Sequence, residues 1–167
     1  MLNPTPSPYL EAGRLTDVIA AIQAMGTYKF YKLPIAGWAD RIAADEDRAG
    51  HWLAVFRDHP EFFRLTDGQD RASLVWRRNQ PRTYHVDLEE CLSRDQITAL
   101  PAQERKDRLT RAPLVAEQIT ALVTAAIDLH ARALEHRRDS RWWVSIVAGL
   151  AGGLAVVAAE AVIGRIG

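Results

Sequence analysis

The run from Trp142 to Gly167 constrains this chain most: twenty-six residues that open with two Trp, are rich in Gly and Ala, and hold one carboxylate, Glu160. Its first eighteen residues, Trp142 to Ala159, carry no charge. At about 1.5 Å of rise per residue, a helix continued to Ile163 matches the ~30 Å hydrocarbon thickness of a bilayer. The run therefore predicts a transmembrane anchor over 141–167, with the lipid bilayer as a partner. Arg132, Arg137, Arg138 and Arg141 precede it and only Arg165 follows. That excess of Arg predicts a single pass, a cytoplasmic N-terminal domain and a very short far-side C-terminus.

Within the run, Gly149 and Gly153 form a GxxxG, with Gly152 and Ala155 beside them. Small residues let helix backbones approach in lipid, where packing drives association. Glu160 falls on the glycine face but close to the far interface, where its side chain reaches the headgroups. Gly149, Gly152, Gly153, Ala155 and Glu160 are the expected contact surface for a second copy or another membrane protein.

Twenty Lys and Arg and twenty Asp and Glu precede Trp142, so the remainder of the chain is neutral. It lacks the net positive field of a dedicated nucleic-acid binder. The lone cysteine, Cys91, permits neither an intramolecular disulfide nor a thiolate metal cluster, and reads as a buried structural thiol. His51, His59, His85, His130 and His136 have no spacing that pairs two ligands on one helix. No Gly-rich phosphate loop, nucleophile triad or paired-carboxylate motif occurs, so the expectation is a non-enzymatic protein with no cofactor and no metal.

Pro4, Pro6 and Pro8 mark residues 1–8 as a Pro-rich arm, with order expected from Tyr9. Leu15, Val18, Ile19, Ile22 and Met25 recur at helical spacing up to Gly26. Thr27 to Leu33 is aromatic and partly alternating, a short extended segment or turn. A second helix is predicted over Pro34 to Ala43, and a third follows Asp45-Glu46-Asp47 and runs to about Asp58 before His59-Pro60. Two strand-like runs, Phe62 to Thr66 and Ala72 to Arg77, flank the Asp67-Gly68 turn signal. Trp38, Trp52 and Trp76 are expected in the core.

The stretch PIAGWADRIAADEDRAGHWLAVFRDHPEFFRLTDGQDRASLVWRR, with the helix before it, resembles the winged helix-turn-helix superfamily over about residues 9–78. The resemblance implies close packing of two helices at Ala39 and a wing tip at Asp67 to Arg71. Its implied contacts with a polyanion or a protein partner are Arg48, His51, Arg64, Arg71, Arg77 and Arg78. Asp45, Glu46 and Asp47 at the start of the third helix would repel the major groove, which disfavours nucleic acid.

Beyond Pro81 the chain is polar, with helix starts at Ser93 and Ala102, and Thr110 placed to cap a long helix. Val115, Ile119, Leu122, Ala126 and Leu129 step by four and three along a seam, widened by Leu114, Val123, Ile127 and Leu134. Such a stripe packs within the chain, against another copy, or both. The expected fold is mainly α with a small β-hairpin (α+β). A winged-helix-like domain over 9–86 is followed by a polar helical connector over 87–111. An amphipathic, coiled-coil-like stalk over 112–140 then continues as one helix into the anchor. The expected function is that of a tail-anchored adaptor or scaffold that assembles through stalk and anchor. The rivals are a membrane-tethered DNA-binding regulator and an oligomeric membrane effector or small complex subunit.

Overall fold

The computed structural model describes residues 7–138. A single 3-10 turn at Pro8–Leu10 leads to α1 (Arg14–Thr27), entered through Gly13, whose φ of 79° suits glycine. Then come β1 (Lys32–Pro34), α2 (Ile35–Ala43), α3 (Ala49–Asp58), β2 (Phe63–Leu65), β3 (Arg71–Leu74) and the one-turn α4 (Val75–Arg78). The second half holds β4 (Tyr84–His85), β5 (Glu90–Cys91), α5 (Arg94–Ala99), α6 (Ala102–Arg108), β6 (Leu109–Thr110) and α7, residues 116–138.

These elements build a mixed α/β structure with two small antiparallel sheets, ordered β1-β3-β2 and β5-β4-β6. The expectation of a mainly α chain with one hairpin is thereby corrected. The first sheet gains a third strand from Lys32–Pro34, and two of the three strands of the second, β5 and β6, lie in the stretch expected to be a helical connector. The physical reason is length: the two-residue strands of the second sheet are too short to show an alternating pattern, and β1 lies at the end of a segment whose alternation is only partial. Thr110 is also corrected, being a buried β6 residue rather than a helix cap. No helix among the described residues is long and apolar enough to cross a membrane. The expected passage of the stalk into a membrane span is therefore not part of the described fold, in which α7 carries Glu117, Asp128, Arg132 and Glu135. The expected anchor, with Gly149, Gly152, Gly153, Ala155 and Glu160, lies outside the described residues.

The core forms where the apolar stripes of α1, α2 and α3 meet one face of the first sheet. Val18, Ala21, Ile22, Met25, Trp38, Ala39, Val55, Phe56, Phe63, Ala72 and Leu74 are buried together. Trp38 Nε1 donates to the Ala72 carbonyl at 2.9 Å, tying α2 to β3 without leaving the indole donor unsatisfied. Trp52 is buried as expected, but Trp76 is 38 % exposed on the single turn of α4. Cys91 is exposed in β5, which overturns the buried-thiol expectation.

Leu114 and Ala126 belong to the same core, and Ile119, Leu122, Val123, Leu129 and Ala133 pack against it. The seam thus faces the protein's own body. Of the five seam residues only Val115, which precedes the helix, points to solvent. Gly26 makes the docking close: its carbonyl accepts from Leu114 N at 2.8 Å, and a Cβ there would lie 3.2 Å from Ile119 Cγ1.

A polar clasp completes this contact. Tyr9 Oη donates to Glu61 Oε1 at 2.7 Å, His59 Nδ1 lies 3.1 Å from the same oxygen, and His130 Nδ1 of α7 lies 2.9 Å from the Tyr9 carbonyl. Burial raises the Glu61 carboxyl, but the hydrogen bonds from His59 and Tyr9 outweigh it and hold the pKa below the usual 4.5. A carboxylate with a depressed folded-state pKa stabilises the fold above its unfolded value, and that contribution disappears as pH falls through the folded value. Glu61→Gln is accordingly expected to narrow its stability gap to the wild type between pH 6 and pH 3 in denaturant melts. A gap independent of pH would contradict the clasp.

Candidate functional site

Alternation along the first sheet sends Leu33, Phe63, Leu65, Ala72 and Leu74 toward the core side, and Lys32, Arg64, Arg71 and Ser73 to the opposite face. Register then builds a row. Lys32 pairs with Ser73 on one side and Arg64 pairs with Ser73 on the other, so two cations flank one hydroxyl across roughly 10 Å of sheet. A cavity of about 290 Å³ opens over this row.

Its walls come from distant parts of the chain. Tyr31 enters from the segment before β1, Arg78 from the end of α4, and Arg111 from the residue after β6. Leu65, Thr66 and Asp67 contribute from β2 and its turn. The Arg111 guanidinium lies 5.0 Å from the centroid of the Tyr31 ring, a cation–π contact, and its Nη1 donates to the Gln80 carbonyl. Its Nε is buried and has no hydrogen-bond partner among the described residues. Four cations, Lys32, Arg64, Arg78 and Arg111, face a single carboxylate, Asp67. Asp70, beside the turn, is occupied by the Thr66 hydroxyl at 2.6 Å, a bond that holds its carboxyl below the usual range.

Arg77 is not a surface contact at all. It is fully buried between the pocket walls, where Nη1 donates to Met25 O at 2.8 Å and Tyr28 O at 2.6 Å, and Nη2 to Arg111 O at 2.6 Å and Lys29 O at 3.4 Å. This corrects its assignment as a partner contact. Met25 and Tyr28 stand at the C-terminal end of α1, where the carbonyl dipoles favour a cation. Burial lowers the guanidinium pKa to about 10, so it is still charged at pH 7. By gripping the carbonyls of 28, 29 and 111, Arg77 holds the two walls together, with Tyr31 N donating to Thr110 Oγ1 at 3.3 Å alongside.

Arg64 and Arg78 therefore come together in the pocket, and Arg71 lies on the same sheet face beyond it, with Nε 3.8 Å from its neighbour Asp70. Arg48 and His51 are elsewhere: Arg48 lies 5.8 Å over the Trp52 ring and His51 Nε2 lies 3.0 Å from Asp17 Oδ2 of α1. Asp45, read as a repulsive charge at a helix start, accepts a hydrogen bond from Asp47 N at 3.0 Å and caps the 3-10 turn Glu46–Arg48. Sequence inspection missed Tyr31, Lys32, Ser73 and Arg111. Lys32 carried a weak signal in the alternation of TYKFYKL, whereas Arg111 had none, because it meets Tyr31 only through tertiary contacts such as the bond of Tyr31 N to Thr110 and the grip of Arg77 on both segments. No group of His, Cys, Asp and Glu capable of holding a metal occurs among the described residues. No protein-family model, curated protein or solved structure matches this chain, so its function has to be inferred from the geometry of the pocket.

Proposed function

We propose that this chain is a non-enzymatic adaptor, attached to a bilayer through its apolar run, whose first sheet docks an acidic segment of a partner protein. The observation that carries the proposal is the convergence of Lys32, Arg64, Arg78 and Arg111 on one cavity of a chain with no net charge. Charge complementarity of this kind steers an acidic partner and fixes its register. Adaptor use is common in the superfamily that the sequence of residues 9–78 resembles. Duplex DNA is less well suited, since the cations converge on a pocket and do not form a stripe along a phosphate backbone.

The test is titration of the full-length, detergent-solubilised protein with a fluorescent Asp/Glu-rich peptide and with duplex DNA across salt concentrations. Peptide binding that weakens about tenfold or more in Arg64→Glu/Arg78→Glu is the expected result. Tighter, salt-steep binding of DNA that the same substitutions abolish would favour the tethered regulator instead.

Assembly of copies is a second reading, supported by α7 itself. Ile127 and Leu134 lie one heptad apart and are 47 % and 42 % exposed, flanking the face that packs on the core. Sedimentation of Ile127→Glu/Leu134→Glu is expected to show a smaller species than the wild type.

A further inference from the structure

We infer that the sheet pocket takes a phosphomonoester carried on a side chain of the partner, so that docking depends on phosphorylation. The inference rests on the partner-binding reading and adds the chemical group recognised. A phosphorylated Ser or Thr presents up to two negative charges and three acceptor oxygens on a compact head. The pocket answers with four cations, and its single carboxylate, Asp67, leaves a formal excess of three positive charges. One Glu side chain neutralises only one of these.

Geometry matches that head better than a string of carboxylates. Lys32 and Arg64 stand on either side of Ser73 in one row of the sheet, so their long side chains approach a ligand above Ser73 from opposite directions. Arg78 and Arg111 line the same pocket. Arg111 is held in place by the Tyr31 ring and the Gln80 carbonyl, and its buried Nε remains without a partner among the described residues. A fixed guanidinium fork loses little freedom on forming paired hydrogen bonds to phosphate oxygens. Arg64 and Arg78 are exposed and enter no ion pair within the described residues, so a ligand does not have to displace an internal carboxylate to reach them. The cavity of about 290 Å³ accommodates the phosphoryl group with part of its side chain while the flanking peptide lies across the sheet.

The experiment uses the full-length protein in detergent and a fluorescent peptide, Ac-Gly-Ala-Xaa-Ala-Gly, in which Xaa is phosphoserine, Glu or Ser. Phosphoserine is expected to bind about tenfold or more tightly than Glu, the equivalent of one additional charge-assisted contact, with Ser unbound. Arg64→Gln and Arg78→Gln, both at exposed positions, should each remove most of that preference while the circular dichroism spectrum and melting temperature stay as in the wild type. Equal binding of phosphoserine and Glu peptides overturns the phosphate inference but leaves the acidic-partner reading standing. Failure of all three peptides together with the Asp/Glu-rich peptide overturns both. Inorganic phosphate binding as tightly as the phosphoserine peptide makes free phosphate the ligand and overturns a side-chain-borne source. Preference for vesicles containing a phosphoinositide, or for a 5′-phosphorylated oligonucleotide, likewise overturns it.

Discussion

Arg77→Met is expected to destabilise the fold by about 3–5 kcal/mol, the range seen when one partner of a buried charged network is removed. The substitution retains most of the apolar volume and deletes the donors to Met25, Tyr28, Lys29 and Arg111, leaving buried carbonyls unsatisfied at about 1–3 kcal/mol each before relaxation. Arg77→Lys supplies three donors from a single nitrogen and cannot span the same set, so it should recover only part of the loss. The guanidinium has a cost of its own, since burial lowers its pKa to about 10 from 12.5. That cost is constant well below pH 10, where the folded and unfolded forms are both charged. Chemical denaturation at pH 7 reads the difference directly. A loss under about 1 kcal/mol would mean that water replaces the guanidinium, and that Arg77 does not hold the pocket walls.

The second large effect is expected on α7. Ala126 is fully buried in the shared core, whereas Ile127, one residue on, is 47 % exposed. Ala126→Asp would bury an unpaired carboxylate in an apolar site, which costs several kcal/mol unless the helix leaves the site. Detachment is therefore the expected outcome: amide exchange over 116–138 accelerates strongly, while α2 and α3 keep most of their protection. Ile127→Asp introduces the same charge about 100° around the helix and should change stability by about 0.5 kcal/mol or less. Equal effects of the two substitutions would contradict the packing of the seam on its own core.

The contrast between these residues explains how far the fold was legible. Helices longer than two turns announce themselves through periodicity, and the stripes of α1, α2 and α3 place Val18, Ile22, Trp38 and Phe56 in the core where their spacing points. The two-residue strands of the second sheet carry no usable period and were invisible, whereas β1 showed only as the end of the partly alternating Thr27 to Leu33 segment. The seam of α7 was legible as a stripe, but a stripe does not say what covers it. Arg64 and Arg78 were recognisable as candidate contacts from their place around the hairpin. Arg77, next to Arg78, was wrongly grouped with them because sequence adjacency says nothing about which way a single helical turn faces.

By itself the sequence determined which segments bury apolar surface, that the chain is neutral with one cysteine, and that a long apolar run stands at its C-terminal side. These properties depend on residue type and local spacing alone. Only the tertiary structure decided which arginine is a strut and which are free, and that Lys32, Arg64, Arg78 and Arg111 surround one cavity. The register of β1, β3 and β2 and the return of the chain through β6 set those distances. Contacts such as that of Arg111 with Tyr31, 80 positions apart, arise from closing long loops around a common core, and no local pattern encodes them.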